Sequence, residues 1–433
     1  MRTISSVLLG KTISSLTKKL NIGGGSAAPG LYALKVDPNL VEKLTSKIPL
    51  NIIITGTNGK TTTSRLISHF AKHCGKKVIR NHTGSNLERG IASALIQNYG
   101  KKFDIGIWEV DEAAFNTVAK KIKPDVVVFL NIFRDQLDRY GEIDTIVDKW
   151  CKTLSSLDKN TKVLVNGDDA SLKKLTNCFK AQVKLFGVKD YKISGEAISY
   201  QKESESLDFE ATNVKLNGLI GSSFDLKISN FKLKITLPLP GVYHIYDALA
   251  AFASASLLNL SISQLPACLK NFSPAFGRVE KLDLPRLDST GKAGFGYIFL
   301  IKNPAGATQV FQTIAPQLKS GDTLLLALND NLADGTDVSW IWDAKWERLQ
   351  VTGYSGQLIC SGTRAYDLAL RLKYAGFATK NIVIVPELDL ALQEARKGLK
   401  GSLFVLPTYT AMMELQTILV KQGLKDNYWK EKD

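Results

Sequence analysis

A glycine-rich loop between a buried strand and a helix constrains the fold of this chain more than any other feature. The β-branched run LNIIIT (50–55) predicts a strand, and the apolar spacing over residues 61–74 predicts a helix. Between them lies the sequence GTNGKTT (56–62). In this context backbone N–H groups can approach phosphate oxygens, and the helix N-terminus adds partial positive charge. The alternative is an ordinary glycine-rich strand–helix turn.

The residue types of the loop fit nucleotide chemistry. Lys60 can reach the β- and γ-phosphates of ATP, and the Thr61 hydroxyl can ligate Mg²⁺. The spacing is the shorter GxxGKTT form, because Ile54 occupies the position of the first glycine in the longer Walker spacing. The ATP-binding residues expected in the loop are Thr57, Asn58, Gly59, Lys60, Thr61 and Thr62.

Three carboxylates follow the apolar run FDIGIWEV (103–110) or end it. Glu109 lies at the tip of this predicted strand, where a carboxylate can hold Mg²⁺ opposite the Thr61 hydroxyl. Asp111 and Glu112 are explained equally well as caps of the next helix. Glu109 is therefore the expected magnesium ligand.

Strand and helix patterns alternate along most of the chain, which predicts an α/β fold with a parallel sheet covered on both faces. Residues 188–236 differ, because charged and Ser-rich segments precede the alternating runs FDLKIS and FKLKITL. This pattern predicts a β-rich insertion with antiparallel strands. A polar stretch at 282–292 precedes a second α/β series. We expect an N-terminal helical segment, a central domain and a C-terminal Rossmann-like α/β domain, spanning residues 1–45, 46–284 and 285–433.

The composition limits which classes of partner and which kinds of site the chain can have. The net charge of +15 favours anionic partners, but aromatic residues are not interleaved with the basic ones as a single-strand nucleic-acid platform requires. We therefore expect no nucleic-acid partner. The five cysteines are widely separated, which favours a reducing compartment and argues against a zinc site. No apolar run approaches the roughly 18 residues of a membrane span.

The first 20 residues are basic, rich in Ser and Thr, and free of acidic residues. They resemble a mitochondrial transit peptide in composition, and an amphipathic helix of the mature protein fits them equally well. In that helix one face would carry Ile4, Leu8, Ile13, Leu16 and Leu20. We expect a cytoplasmic protein. The acid-free segment leaves two interpretations open: contact with anionic lipid at the inner face of the membrane, or simple surface solubility.

The sequence resembles the Mur ligase superfamily and, within it, the MurT family. The resemblance covers nearly the whole chain. Its most specific part is the C-terminal group of motifs, which amino-acid-adding Mur ligases and folylpolyglutamate synthetases do not carry. The motifs are GTNGKTT (56–62), IWEVDE (107–112), FLNIFRDQLDRYGEID (129–144), VNGDDA (165–170), LPLPGVYHIYDALAA (237–251), FGRVEK (276–281), KNPAG (302–306), LNDNLADGTDVSWIWD (328–343), SGTRA (361–365) and PTYT (407–410).

The resemblance implies a fold and a reaction. The fold is a Mur-ligase-like central domain with a phosphate loop, followed by a C-terminal α/β domain. The reaction is ATP-dependent amidation of the D-Glu α-carboxylate in the peptide stem of lipid II, through an acyl phosphate, giving D-isoglutamine. Ammonia would come from a GatD-type glutaminase that forms a heterodimer with this chain. ATP and Mg²⁺ are the implied cofactors.

The resemblance also implies roles for individual residues. Arg278 would reach a phosphate, Asp247 would lie at the adenine side of the nucleotide, and Asn86 would lie on the substrate side. Asp337 would complete the Cys–His site of the glutaminase, since a carboxylate can orient a histidine and stabilise its cation. Asp330 and Asp334 compete with it for that role, and a loop turn is the simpler explanation of each.

The sequence departs from the family at three points. The insertion at 188–236 contains no cysteine, whereas MurT proteins commonly carry a four-cysteine zinc ribbon there, so we expect no structural zinc. Asp247 replaces the usual asparagine, which removes a hydrogen-bond donor. Gln136 stands where many Mur ligases have a metal-binding histidine, which argues against a second metal.

Two other functions compete with amidation. One is an amino-acid-adding Mur or folylpolyglutamate-type ligase, in which an amino acid is the nucleophile. The other is a nucleotide-binding scaffold without turnover. The stretch DGTDVSW (334–340) favours amidation, and the presence of Lys60, Thr61 and Glu109 argues against a scaffold.

Overall fold

The computed structural model describes residues 2–19, 27–81, 85–133, 143–179, 183–189, 206–229, 231–274, 277–285, 293–350, 354–397 and 399–425. The helices are α1 (Arg2–Lys19), α2 (Ala28–Val36), α3 (Leu40–Thr45), α4 (Lys60–His73), α5 (Glu88–Gln97), α6 (Phe115–Ile122), α7 (Ile143–Leu154), α8 (Val242–Leu257), α9 (Leu265–Cys268), α10 (Pro304–Ile314), α11 (Trp340–Asp343), α12 (Ala365–Tyr374), α13 (Leu388–Lys397) and α14 (Tyr409–Lys421). Short 3₁₀ helices lie at Leu172–Asn177, Ile262–Gln264, Leu269–Asn271, Ala315–Gln317, Trp346–Leu349 and Thr379–Asn381.

Nine strands form the first sheet, in the order β2-β3-β1-β4-β5-β6-β7-β8-β9. Neighbours from β2 to β7 pair in parallel, and β7, β8 and β9 pair antiparallel. The strands are β1 (Leu50–Thr55), β2 (Val78–Arg80), β3 (Ile105–Val110), β4 (Val126–Phe129), β5 (Lys162–Asn166), β6 (Val183–Val188), β7 (Phe209–Leu216), β8 (Ser222–Ile228) and β9 (Phe231–Leu237). The predicted antiparallel strands of the insertion are present, and they extend the main sheet.

Helices cover both faces of the parallel part of this sheet. One face packs against α4 and α8 through side chains such as Phe70 and Phe252, whose ring centroids are 4.8 Å apart. The other face packs against α5, α6 and α7, where Phe115, Phe129 and Trp150 form a buried aromatic cluster. Burying β-branched strands on both sides fixes the carboxyl end of β1, and the loop that follows it, between β3 and β4 in the parallel part of the sheet.

Six strands form the second sheet, in the order β10-β11-β15-β12-β13-β14. They are β10 (Arg278–Pro285), β11 (Ala293–Phe299), β12 (Thr323–Ala327), β13 (Gln357–Ser361), β14 (Ile382–Ile384) and β15 (Leu403–Pro407). All pairs are parallel except β10 with β11. The predicted α/β class is confirmed. Because β10 belongs to the second sheet, we propose that the central domain ends before residue 277 and not at 284.

The N-terminal helix is present; Val7 is buried and Ile13 is half-buried, but most of its large apolar side chains point toward solvent. Helices α1 and α2 pack antiparallel, and the Ser6 hydroxyl donates to the Ala33 carbonyl at 2.9 Å. The buried face of α1 consists of the small residues Ser6, Val7 and Gly10. A Cβ on Gly10 would lie 2.8 Å from the Ile96 side chain, so glycine is what allows this close packing. The exposed apolar residues of α1 are Ile4, Leu8, Leu9 and Leu16; Leu20 lies outside the described residues.

Two further features bear on the composition. The structure joins Cys151 and Cys178 in a disulfide, with their Cα atoms 5.1 Å apart, and the 27-residue separation gave no hint of this pairing. Among the described helices, none has the length and apolarity needed to cross a bilayer.

Candidate nucleotide site

Hydrogen bonds from the segment that follows β4 fix the conformation of the loop after β1. The Asn58 backbone N–H donates to the Asn131 side-chain carbonyl at 2.8 Å, and the Asn131 amide donates back to the Asn58 carbonyl at 3.0 Å. The Phe133 N–H donates to the Thr57 hydroxyl at 3.0 Å. These hydrogen bonds fix the loop ahead of α4, whose N-terminal N–H groups have no intrahelical acceptors and suit an anion.

Gly59 is required by both its backbone and its surroundings. Its φ of 89° lies in the left-handed region, and a Cβ there would come within 2.2 Å of the Asp247 carboxylate. We therefore expect Gly59→Ala to lower the free energy of unfolding by about 3 kcal/mol, from strained backbone and overpacking together. Gly75, with φ of 75° and open space around it, is the matched control. Gly75→Ala should cost only about 1 kcal/mol in the same urea titration; equal losses would contradict the role of the Asp247 contact.

Lys60 forms a buried ion pair with Glu112. The ammonium lies 3.4 Å from the Glu112 carboxylate and also donates to the carbonyls of Gly56 and Thr57. Burial disfavours the charge on Glu112, but the Lys60 ammonium, hydrogen bonding and the Lys302 ammonium together outweigh it and hold the pKa of Glu112 well below its usual range. Glu112 is therefore the ion-pair partner of Lys60, a role that the sequence did not assign to it. The Asp111 carboxylate accepts from the Glu112 N–H at 3.0 Å.

Thr61 and Glu109 lie together, as expected for a magnesium site. The Thr61 hydroxyl donates to one Glu109 carboxylate oxygen at 2.8 Å, and the Ser64 hydroxyl donates to the other at 2.6 Å. Asn81 fixes the Glu109 backbone through two hydrogen bonds of 2.8 and 2.9 Å. Mg²⁺ in such sites is commonly held by one or two carboxylates and by substrate phosphates, and this donor set fits that pattern.

The Thr62 hydroxyl provides a further test of whether the loop suits a phosphate. Its hydroxyl is buried, and no partner for it lies within the described part of the chain. A buried hydroxyl without a hydrogen bond is costly, and a phosphate oxygen would satisfy it. The loop residues therefore fit a nucleotide phosphate.

A cleft of about 840 Å³, including its open mouth, adjoins the loop and receives residues from both sheets. Lys302 donates to the Thr57 carbonyl at 3.2 Å. Asn303 exchanges two side-chain amide hydrogen bonds with Asn58, of 3.1 and 3.3 Å. The cleft is lined by Asn58, Gly59, Leu130, Asn131, Phe186, Tyr243, His244, Tyr246, Asp247, Gly277, Val279, Phe299, Leu300, Lys302, Gly306, Gln309 and Val310.

Lys302 and Asn303 were not predicted as site residues. The only signal for them was the motif KNPAG, which by itself indicates a helix start: the Asn303 side-chain oxygen accepts from the Gly306 N–H at 2.8 Å and caps α10. Their place beside the loop depends on the packing of the two sheets, which no local pattern encodes.

The structure describes some of the other predicted site residues fully and others in part or not at all. Asp247 is buried, lines the cleft and accepts from the Thr63 hydroxyl at 3.4 Å. Asn86 is half-buried, and its carbonyl accepts from the Asp111 N–H at 2.8 Å. The Arg278 backbone begins β10, between two residues that line the cleft, but its side chain lies outside the described part of the structure. Gln136 also lies outside the described residues.

Asp169 ties the segment after β4 to the segment after β5 and should give stability a pH dependence. It accepts from the N–H groups of Ile132, Ser171 and Leu172, and burial raises its pKa to about 6. The folded state thus binds this proton more tightly than the unfolded state, whose carboxyl has a pKa near 3.9. Its contribution to the free energy of unfolding should therefore fall as the pH rises from about 4 to about 6, and then stay level.

The variant Asp169→Asn should lack this contribution. We expect the free energy of unfolding of the variant, relative to the native protein, to rise between pH 4 and pH 6 in denaturant titrations. The exposed Asp158→Asn serves as the control and should show no such change. A constant difference between the Asp169 variant and the native protein would contradict the raised pKa.

The C-terminal motifs meet at the carboxyl end of the second sheet. Thr410 donates its N–H to Asp334 at 2.7 Å and accepts from the Asn329 and Asn331 amides at 3.0 and 2.8 Å. The Thr363 N–H donates to the Asn329 side chain at 3.0 Å. The loop after β12 is therefore held by both neighbouring strand ends, as an ordered platform.

The three aspartates of this loop have different surroundings. The Thr363 hydroxyl and the Arg364 guanidinium bind Asp330 and lower its pKa. Asp334 is buried against Thr410, and burial raises its pKa. Asp337 is exposed, and one of its carboxylate oxygens accepts from the Ser339 N–H at 2.8 Å in an Asx turn. Asp337 is thus the most exposed of the three, Asp330 is half-buried and Asp334 is buried.

Near this loop lies a set of exposed large side chains that we call the aromatic patch: Trp342, Tyr366, Leu370 and Tyr374. Trp342 and Tyr374 make an edge-to-face contact with ring centroids 5.6 Å apart, and Arg371 lies over the Trp342 ring. The other tryptophan of the motif, Trp340, is buried in the core. Exposed aromatic clusters of this kind are typical of protein interfaces.

The described residues contain no group of three or more His, Cys, Asp or Glu side chains arranged to hold a metal ion. We expect the purified protein to contain no stoichiometric zinc, because such sites need four close Cys or His ligands. Elemental analysis after mild chelation tests this expectation; about one zinc per chain would contradict it.

Solved structures show which fold the chain has. The model matches MurF from Acinetobacter baumannii with a TM-score of 0.70 at 18% identity, covering 92% of this chain and 81% of that one. It matches folylpolyglutamate synthase from Mycobacterium tuberculosis with a TM-score of 0.66 at 15% identity, covering 98% and 99%. The fold is therefore that of the Mur ligases.

Sequence comparison gives the family within that class. Models described as the Mur ligase middle domain and the MurT ligase C-terminal domain match residues 54–255 and 300–412. The chain is 31% identical to the MurT subunit of lipid II isoglutaminyl synthase (glutamine-hydrolyzing) from Staphylococcus aureus (strain COL), over 90% of this chain and 91% of that one. It is 30% identical to the subunit of the same name from Streptococcus pneumoniae (strain ATCC BAA-255 / R6), over 98% of both chains. The chain belongs to the MurT family, which is a family of ligases.

Proposed function

We propose that the chain amidates the D-Glu α-carboxylate of the lipid II peptide stem, using ATP and ammonia supplied by a GatD-type glutaminase. The carboxylate would attack the γ-phosphorus of ATP and release ADP. Ammonia would then attack the acyl carbon, phosphate would leave, and the amide nitrogen would lose a proton. The names of the related MurT subunits support lipid II as the substrate and glutamine as the nitrogen source.

The phosphorylating half of this reaction is assigned to the loop after β1. Its N–H groups and Lys60 would hold the nucleotide phosphates, and Thr61 with Glu109 would hold Mg²⁺, which would neutralise charge on the transferring phosphoryl group. Glu112 would keep Lys60 charged and in position. Lys302, from the second sheet, would add a second cation beside the loop.

The observation that favours amidation over addition of an amino acid is the exposed Asp337 on the platform that the C-terminal motifs form. Its carboxylate is accessible to a histidine of a partner enzyme, and the aromatic patch offers that partner an apolar anchor. Phosphorylation alone needs neither feature.

Co-purification with the glutaminase, followed by an amidation assay on lipid II, tests the proposal. We expect amidated lipid II with glutamine or with ammonia, and ADP formation in proportion. Amino acids offered in place of ammonia should give no product. Product with an amino acid but not with ammonia would favour the amino-acid-adding alternative, and absence of ADP formation would favour a scaffold.

A further inference from the structure

The outward face of α1 differs from the rest of the surface in two ways. Ile4, Leu8 and Leu16 are 57%, 61% and 52% exposed, although the inner face of the same helix is made of small residues. Helix α2, which packs beside it, exposes Leu31, Tyr32 and Val36. Ile4, Leu8 and Leu16 point away from the packed side of their helix, and folding gives no reason for large apolar side chains there.

The charge of the same segment has one sign. Before Asp37 the sequence contains no acidic residue and five basic ones, Arg2, Lys11, Lys18, Lys19 and Lys35. Arg2 and Lys11 are exposed on α1, and Ser and Thr residues separate the apolar positions. Aliphatic side chains flanked by basic residues on a polar helix are typical of segments that lie in the interface of an anionic membrane.

The aromatic patch of the second sheet offers a contrast within the same chain. It carries tryptophan and tyrosine, which are enriched in protein interfaces. The face of α1 is aliphatic and hydroxylated, and it carries no acidic residue to pair with a basic partner. The chain thus presents two exposed apolar surfaces of different chemistry, and the N-terminal one complements a negatively charged lipid surface.

We propose that the exposed face of α1, with the exposed side chains of α2, rests on anionic lipid head groups and inserts Ile4, Leu8 and Leu16 among them. The choice of a membrane over a protein partner rests in part on the proposed function, because lipid II is itself a membrane lipid. Contact through α1 would keep the ligase at the surface where its substrate is concentrated.

Flotation of the purified full-length protein with vesicles tests this, and the vesicles contain no lipid II and no nucleotide. One set is phosphatidylcholine alone, and the other contains phosphatidylglycerol at about a third of the lipid. We expect binding to the second set, weakened by high salt because exposed charges are screened. The double variant Ile4→Glu with Leu8→Glu should bind at least tenfold less. Each of Arg2→Ala and Lys11→Ala should reduce binding about fivefold.

Ile220→Glu is the matched control, because Ile220 is 86% exposed on the turn between β7 and β8. It should bind vesicles like the native protein, and all variants should keep the native unfolding temperature. No binding to phosphatidylglycerol vesicles, or equal binding by the double variant, would overturn the proposal. Loss of glutaminase association by the double variant, with unchanged vesicle binding, would also overturn it and assign the face to a protein partner.

The vesicle-binding experiment tests the membrane proposal independently of the proposed function. Vesicle binding without lipid II does not depend on amidation, so a chain that binds vesicles but fails to amidate would contradict only the function. If both hold, the double variant should raise the KM for lipid II in vesicles and leave the KM for a soluble stem peptide unchanged. An equal rise for both substrates would contradict a membrane role.

Discussion

Replacing Lys60 by alanine is expected to abolish amidation with glutamine and with ammonia alike. In the proposed reaction, phosphorylation of the carboxylate precedes attack by ammonia, so the nitrogen source cannot compensate. Loss of a cation placed on the transferring phosphoryl group should lower kcat by a factor on the order of 10³. Glu109→Ala should have the same effect through the loss of Mg²⁺. Full activity of either variant would contradict the assignment of the nucleotide site.

The buried ion pair complicates this experiment, and the structure indicates how to control it. Removing Lys60 alone leaves the Glu112 carboxylate buried without its partner, which costs about 3–5 kcal/mol of stability. The double variant Lys60→Met with Glu112→Gln removes both charges and should recover most of that stability without recovering activity. Lys121→Ala, which breaks a more exposed pair with Glu88, should leave activity unchanged.

Asp337→Asn should separate the two nitrogen sources. If Asp337 orients the histidine of the glutaminase, its loss impairs only glutamine hydrolysis, while the loop after β1 still forms acyl phosphate. An asparagine keeps the shape of the side chain but removes the charge that stabilises the imidazolium. We expect glutamine-dependent amidation to fall about a hundredfold or more, and ammonia-dependent amidation to be largely retained at high ammonia and alkaline pH.

Asp330→Asn and Asp334→Asn are the matched controls for that experiment. Asp334 anchors the loop to Thr410, so its replacement should weaken the platform and the association with the glutaminase, and not the chemistry alone. Asp330 pairs with Arg364, and its replacement should have a small effect. Equal loss by both nitrogen routes in Asp337→Asn would make Asp337 structural. Unchanged glutamine use would move the role to one of the other two aspartates.

The parts of the candidate site that could be predicted from the sequence are local. The strand, the glycine turn and the helix start are contiguous, so spacing alone placed Lys60, Thr61 and Thr62, and the tip of β3 placed Glu109. The pairing of Lys60 with Glu112 was missed, because the sequence pattern of a carboxylate after a strand fits a magnesium ligand and a helix cap equally well. Burial decides between them, and burial depends on α7 and the sheet around it.

Other parts depend on packing between distant segments. Lys302 and Asn303 reach the loop across 245 positions of sequence, and no periodicity encodes that approach. For α1 the apolar spacing correctly predicted a helix but did not indicate that Ile4, Leu8 and Leu16 face solvent. The small residues Ser6 and Gly10 lie on the inner face, because their size allows α2 to pack close to α1. The pairing of the edge strand β10 with β11 could not be predicted from the sequence for a similar reason, because the polar residues 286–292 lie between the two strands.

The amide pair between Asn58 and Asn303 makes nucleotide affinity and the placement of the second sheet linked quantities. A ligand that binds the loop more tightly when this pair is formed must favour the joined arrangement of the two sheets, and by reciprocity the joined arrangement favours the ligand by the same factor. The affinity for a partner that binds the second sheet only in that arrangement is therefore also linked to the affinity for the nucleotide. In the proposed function the glutaminase is such a partner, and it need not touch the nucleotide for each to raise the affinity of the chain for the other.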